Sequence, residues 1–357
     1  MGQWSSSCEW ESATLRAGNP RMWDTEIRAA RQQRATQPGQ AGCANAIFQQ
    51  PWWLDAVAPG QWDEARVERD GRVIARLPYV ARGRGRLRIL MMPRLTQTLG
   101  PWVEHLSAKP ARALGEEIEL LATLEAALPA AEVFVQRFSP TMMNALPFFW
   151  AGYRLELQYT YRLDDLRSPE ALWEGLRDNV RREIRKARKR VEVRDDLGLD
   201  RFYDVWARTF ARQGLRPPAS LAHLERLHAA CDARDAHAML FARGEADRVH
   251  AVSYTVWDRH AAYYLLGGGD PELRTSGASS LLMWESIMRA REVTDVFDFE
   301  GSMLKPVERF FRAFGGHQTP YLRVTRTTGR ARAALAFREA WRRVAARRML
   351  TGDRATW

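Results

Sequence analysis

The feature that most constrains this chain is an internal repeat, in which seven elements occur twice in the same order. In the first half, strands over 65–69 and 72–80 flank Asp70-Gly71, a preferred two-residue hairpin turn. A strand over 87–92, a helix over 111–128, a strand over 131–138, a helix over 141–150 and a strand over 153–162 follow. In the second half, strands over 238–242 and 249–257 form a hairpin and 261–266 gives the next strand. A helix over 279–291, a strand over 293–299, a helix over 303–314 and a strand over 319–325 complete the set. A gapless offset of 162 superposes Leu120 on Leu282, Val135 on Phe297 and Phe148-Phe149 on Phe310-Phe311. Buried strands look alike by chance, but an ordered match of seven elements reads as two copies of one unit. The expected fold class is therefore α/β, duplicated in tandem, with mixed central sheets flanked by helices.

This reading divides the chain into four parts: a polar leader over 1–45, a first copy over 46–165, a second copy over 166–325 and a basic C-terminal helix over 326–357. The leader has no sustained hydrophobic period and is expected to be largely disordered. Order begins with a short helix near Ile47–Val57, with Pro51 in its first turn. Between the copies, Ser168 and Pro169 mark the start of a helix over 171–190. Its stripe of Leu172, Leu176, Val180, Ile184 and Ala187 faces a strongly basic side. Helices over 199–213 and 221–233 follow, separated by Pro217-Pro218.

Lys and Arg number 54 against 43 Asp and Glu, a formal charge of +11 carried mainly by arginine. Two explanations stand side by side: a codon bias towards arginine, or an anionic partner such as phosphate groups, an acidic membrane surface or RNA. The helix over 171–190 reads as a solvated amphipathic helix packed by its leucine stripe, as a contact for an anionic substrate or membrane surface, or as an RNA contact. In the C-terminal helix, Phe337 and Trp341 lie four residues apart. They suit docking onto the chain's own domain or peripheral membrane contact. No run approaches the roughly 20 apolar residues of a membrane span, and the N-terminus lacks a secretory pattern. The expected location is the cytoplasm, including the inner face of the membrane. The three cysteines and the scattered histidines form neither a metal set nor a catalytic triad.

Two stretches carry candidate chemistry. Gly267–Gly269 end an apolar strand and lead towards a helix, an arrangement that offers bare backbone N–H groups to a phosphate. About 20 residues later, Asp298 and Glu300 alternate along a strand and so share a face. Either could receive a proton from a nucleophile, or one could be structural.

These residues resemble the GNAT acyltransferase superfamily, and within it the FemAB-like group with two GNAT domains in tandem. The resemblance is carried by Phe48-Gln49-Gln50-Pro51 with Trp53-Leu54, and by Asn179, Arg181 and Ile184–Ala187. Thr209-Phe210 with Arg212–Gly214, Asp298–Met303, Phe310 with Phe314–Gly316, and Tyr321 complete it, so that it spans about residues 47–325. It implies that Arg274, Ser276, Gly277, Ala278 and Ser279 hold the pyrophosphate of an acyl-CoA donor such as acetyl-CoA, although Ser279 stands where the pattern has Gly or Ala. It implies no metal. At the same offset the first copy has Arg112 and Gly115 but then Glu116-Glu117, which would repel a pyrophosphate. That copy is therefore expected to be degenerate and to shape the acceptor side.

The chemistry so implied is N-acyl transfer to an amine of a metabolite, a sugar or a cell-envelope precursor. Glu300, Asp298 and Tyr321 are the candidate catalytic groups. Arg212, Gln213, Lys305, Arg181 and Arg185 are the candidate substrate contacts. Members of the Fem group instead use aminoacyl-tRNA to extend peptidoglycan precursors, and some carry a helical arm for which this chain has no room. That donor is the first alternative, and a non-catalytic binding module of the same fold is the second. Neither the acceptor nor the oligomeric state follows from the sequence.

Overall fold

Residues 43–332, apart from 85–86, 105–106, 213, 302 and 330, are described in the computed structural model. Most of the expected leader, and the C-terminal segment with Phe337 and Trp341, lie outside the described residues. The first copy opens with α1 (Pro51–Val57), followed by β1 (Trp62–Arg69), β2 (Arg72–Arg84), β3 (Leu87–Met91) and β4 (Trp102–Val103). Asp70 and Gly71, which join β1 to β2, have φ of 51° and 73°, positive at both positions as a type I′ turn requires. Then come α2 (Pro110–Ala126), β5 (Val133–Arg137), α3 (Leu146–Trp150) and β6 (Arg154–Leu163). A linking region supplies α4 (Pro169–Gly175), α5 (Asp178–Ala187), β7 (Glu192–Arg194), α6 (Leu199–Ala211) and α7 (Leu221–Asp232). The second copy follows with β8 (His237–Arg243), β9 (Val249–Trp257), β10 (Ala262–Gly269), α8 (Ala278–Ala290), β11 (Phe297–Asp298), α9 (Lys305–Arg312) and β12 (His317–Thr327).

In place of two separate sheets, the strands join into one, in the order β1-β2-β3-β5-β12-β6-β11-β10-β9-β8-β7, with β4 on β2. The last strand of each copy lies in the other copy's half. β12 pairs with β5, β6 pairs with β11, and the two exchanged strands pair antiparallel along nine residues. The register shows that the repeat is structural. Gln136 on β5 faces Val324, and Asp298 on β11 faces Arg162, so residues 162 apart occupy equivalent ladder positions. In both copies the third strand pairs parallel to the strand after the long helix, β3 with β5 and β10 with β11.

Two sequence expectations change at this level. The helix over 171–190 is broken between α4 and α5, where Leu176 and Arg177 are extended. The Arg177 N–H donates to the Ala313 carbonyl at 3.0 Å, and the tight turn at Gly315 presses on the backbone of Gly175. The hydrophobic stripe is otherwise core, with Leu172, Leu176, Val180, Ile184 and Ala187 all buried, and Ser168 caps α4 by accepting from the Ala171 N–H at 3.2 Å. The second change concerns α2, which starts at Pro110 and thus several residues before its offset counterpart in α8. Arg112 and Gly115–Glu117 therefore lie within a helix. Arg112 pairs with Glu116 at 3.1 Å, and Glu117 accepts from Asn144 at 2.8 Å. Repulsion at a phosphate loop cannot be the reason the first copy differs.

The helices of the linking region bury a group of titratable side chains. His228 Nδ1 is 3.0 Å from the Tyr254 hydroxyl, and His237 stacks on the Tyr254 ring with centroids 5.2 Å apart. Burial pulls His237 down to about 4 and lowers His228. The unfolded chain therefore binds protons that the folded chain does not, beginning near the ordinary histidine value of 6.5. Stability should be full above that value and fall as pH drops towards 4. His237→Phe should flatten the fall in a series of urea midpoints across that range, and a slope unchanged by the substitution would put the acid-sensitive groups elsewhere.

Candidate active site

Beside the short paired stretch of β10 and β11, the structure places a cavity of about 150 Å³ between the two copies. The two strands pair at only two positions, Ala262 with Phe297 and Tyr263 with Asp298. Beyond them β10 continues along β9 to Gly269, while the chain after Asp298 turns against β6. That turn is sharp because Glu300 and Gly301 both adopt positive φ, 59° and 57°. A Cβ on Gly301 would lie 2.3 Å from the Tyr159 carbonyl oxygen, so only glycine lets the chain approach β6 this closely. A left-handed glutamate is strained by about 1–3 kcal/mol. Its carbonyl accepts a hydrogen bond from the Gln97 amide, which fixes the turn from the first copy.

Asp298, Glu300 and Tyr321 all line this cavity. Asp298 Oδ1 accepts from the Thr160 hydroxyl at 2.5 Å and from the Glu300 N–H at 2.8 Å. Burial raises the Asp298 carboxyl, while those hydrogen bonds and Arg162 oppose the rise. Glu300 is only 8% exposed, and its Oε1 has no hydrogen-bond partner. Burial, reinforced by the Asp298 charge, pushes its carboxyl well above the usual carboxylate range. The Tyr321 and Tyr263 phenols are likewise raised by burial and hold their protons. The result is a hydrogen-bonded carboxyl, a second carboxyl with one unpartnered oxygen and a protonated phenol around one small space.

The equivalent position in the first copy is filled by the chain itself. Leu99 bridges to Phe138, and the Leu99 N–H donates to the Arg137 carbonyl at 2.7 Å. The Gln136 amide, counterpart of the Asp298 carboxyl, accepts from the Gly100 N–H at 3.0 Å and donates to the Pro78 carbonyl at 2.8 Å. Gln49 holds this plug through its amide, 2.9 Å from the carbonyls of both Leu99 and Gly100.

The glycine-rich stretch has a different role from the expected phosphate cradle. Gly267–Gly269 belong to β10 and pair with Ser253–Ala251 of β9. Their missing side chains make room for neighbours. A Cβ on Gly268 would meet Thr209 at 2.7 Å, and one on Gly267 would strike the Tyr264 hydroxyl. The turn itself comes later, at Gly277, where φ is 81° and α8 begins. There the Ala278 N–H donates to Ser276 Oγ at 3.3 Å. α5 also lies against the turn, and Lys186 donates to the Thr275 carbonyl. Ser276, Gly277 and Ala278 are buried, while Arg274 and Ser279 are exposed. A Cβ on Gly277 would sit 2.4 Å from the Glu183 carbonyl oxygen, so Gly277→Val should lower thermal stability. A Gly277→Val melting curve matching that of the original chain would show that α5 yields there.

The other candidate contacts are dispersed. Arg212 is exposed at the end of α6, Lys305 is exposed at the start of α9, and Gln213 lies outside the described residues. Arg181 is tied to Asp178 and to the carbonyls of Trp173 and Glu174. Arg185 stacks over Trp173 at 5.5 Å. None of these described residues lines the cavity. Thr160, Arg162, Gln97 and Tyr263 do, and sequence reasoning passed over them. Thr160 and Arg162 sit on the exchanged strand β6, which chain order assigns to the wrong half.

The paired parallel–antiparallel sheet, the divergence of β10 from β11 and the helix that follows define a duplicated GNAT fold. Residues 175–312 match the family model of the GNAT acetyltransferase domain. Among solved structures, FemX is similar with a TM-score of 0.59 and 13% identity, over 86% of this chain and 96% of that one. The C-terminal domain of a protein assigned as a lysylphosphatidylglycerol synthetase from Agrobacterium fabrum is similar with a TM-score of 0.50 and 15% identity, over 88% of this chain and 96% of that one. No curated protein matches the sequence. Among the described residues no cluster of acidic, histidine or cysteine side chains is placed to hold a metal ion, and no helix is long and apolar enough to cross a membrane.

Proposed function

We propose that the chain transfers an acyl group to an amine held in the central cavity, with Glu300 as the general base. The observation that carries this reading is the unpartnered, nine-tenths buried Glu300 carboxyl beside Asp298, where β10 and β11 part. An amine reaches the site mostly as ammonium and must lose a proton before it can attack. A carboxylate of raised pKa is suited to take that proton. The nitrogen then bonds the acyl carbon, and the bond from that carbon to the donor breaks. The departing group keeps the electron pair and receives a proton from Tyr321, which is restored by the second proton lost from nitrogen.

In this reading the second copy binds the donor and the first, its own cleft plugged, forms part of the acceptor wall through Gln97, Thr98, Ser139 and Thr141. Acceptors on metabolites, sugars or envelope precursors all suit it. Acyl-CoA is the leading donor. A second reading, with aminoacyl-tRNA as donor, is favoured by one observation: α5 and Ser276 already occupy the turn at Gly277 that would receive a pyrophosphate. Calorimetry with acetyl-CoA and with aminoacyl-tRNA separates the two, since a tRNA donor would bind with a steep salt dependence. If neither binds and no amine is acylated, the fold serves a non-catalytic role and the proposal fails.

A further inference from the structure

The same cavity points to the class of acceptor, an inference that rests on the amine-transfer reading above. Two of the polar atoms around it are sealed from solvent and lack hydrogen-bond partners among the described residues: Glu300 Oε1 and Arg162 Nε. Buried polar atoms are rarely left unsatisfied, because each one costs about 1–3 kcal/mol. Here one is a carboxyl oxygen and the other a guanidinium donor, on the same wall of the same space. Asp298 and Arg162 are opposite one another in the β11–β6 ladder, so their side chains leave the sheet on one face. Glu300, two residues after Asp298, projects into the same cavity. Arg162 also approaches Asp164, but at 3.4 Å and with that carboxylate half exposed, which leaves Nε without a hydrogen bond.

We propose that the acceptor is a small zwitterion, an amino acid whose ammonium meets Glu300 and whose carboxylate meets Arg162. A plain amine would satisfy the first atom and leave the second orphaned. A carboxylate without an amine would satisfy Arg162 but offer nothing to acylate. Size narrows the class further. Filled at protein packing density, a cavity of about 150 Å³ holds roughly six or seven heavy atoms. That is the size of alanine or serine, and a longer chain would not fit within it. Free amino acids and the terminal residue of a peptide share part of this chemistry, but only the free amino acid carries both groups within that volume.

The test uses the full chain with alanine, alaninamide, ethylamine and the dipeptide alanyl-alanine as acceptors. Alanine should have a KM about 10- to 100-fold below that of alaninamide, the range expected for one charge-assisted hydrogen bond. Arg162→Gln should erase that preference by raising the KM for alanine alone, and Arg162→Lys should restore part of it. Equal KM values for alanine and alaninamide would overturn the inference, and a preference for the dipeptide would move the carboxylate site outside the cavity. Calorimetry with alanine in the absence of any donor keeps the inference separate from the transfer reading. Alanine binding that is lost in Arg162→Gln supports it even if no donor is found, while a chain that acylates amines but does not bind alanine refutes it.

Discussion

Glu300→Gln should slow amine transfer severely and leave the chain at least as stable as before. The expected loss in kcat is about 100- to 10,000-fold, the contribution typical of a positioned general base. Glutamine keeps the size of the side chain and can still accept and donate hydrogen bonds, but it cannot take a proton. The stability argument has the opposite sign from that of an ordinary surface acid. Burial and the Asp298 charge raise the Glu300 pKa above its usual 4.5. The folded state therefore holds the proton more tightly than the unfolded chain, and stability is full at low pH. It declines as pH rises from 4.5 towards the raised value. Glutamine removes this decline. Denaturant midpoints should then match in acid and favour the variant near neutrality, while kcat of the original chain rises with pH through the Glu300 titration. A variant that lost both activity and stability would make Glu300 a structural residue, held by Gln97 and the turn and not by the chemistry.

The same turn shows what the sequence could and could not reveal. Apolar periodicity located the seven repeated elements, because a buried strand or an amphipathic helix writes its burial directly into residue order. Asp298 and Glu300 do line one cavity, but not by strand alternation, because β11 ends at Asp298 and Glu300 is turned in by the left-handed bend that follows. Their shared cavity was not legible, because its far wall comes from β6, β12 and the plug around Leu99. Strand exchange leaves no local mark: β6 has the same pattern whether it pairs with β11 or with a strand of its own copy. The glycines misled in an instructive way. Gly267 and Gly268 suit a phosphate loop and also suit close approach to Tyr264 and α6, and only three-dimensional contacts distinguish the two uses. The offset of 162 survived across the exchanged ladders yet failed at the start of α2, where helix length is free to vary without moving the sheet.

Strand exchange has a consequence for stability that a lesion in the first copy can expose. Arg76 on β2 and Glu64 on β1 form an ion pair with both side chains wholly buried, and Arg76 Nε lies 2.8 Å from Glu64 Oε2. Replacing a buried pair by well-packed apolar residues is often neutral, but removing one partner leaves the other charge stranded in a medium that solvates it poorly. Arg66 remains beside Glu64 as a largely buried partner, so Arg76→Leu should cost about 3 kcal/mol, the lower end of the usual range. In the strand order the lesion lies beyond β3 and β5 from β11, although Arg76 also donates to the Cys43 carbonyl at 3.4 Å, two residues before the cavity-lining Asn45. If each copy folded independently, tryptophan fluorescence would show a separate early transition while acyl transfer by the second copy persisted. Exchange forbids that separation, because β12 is held by β5 and β6 is held by β11. Unfolding the first copy strips the second of its neighbouring strand and strips the cavity of Thr160 and Arg162. Arg76→Leu should therefore lower a single cooperative transition, and activity should be lost along the same curve. Two resolved transitions, with activity following the later one, would show that the exchanged strands do not bind the copies into one folding unit.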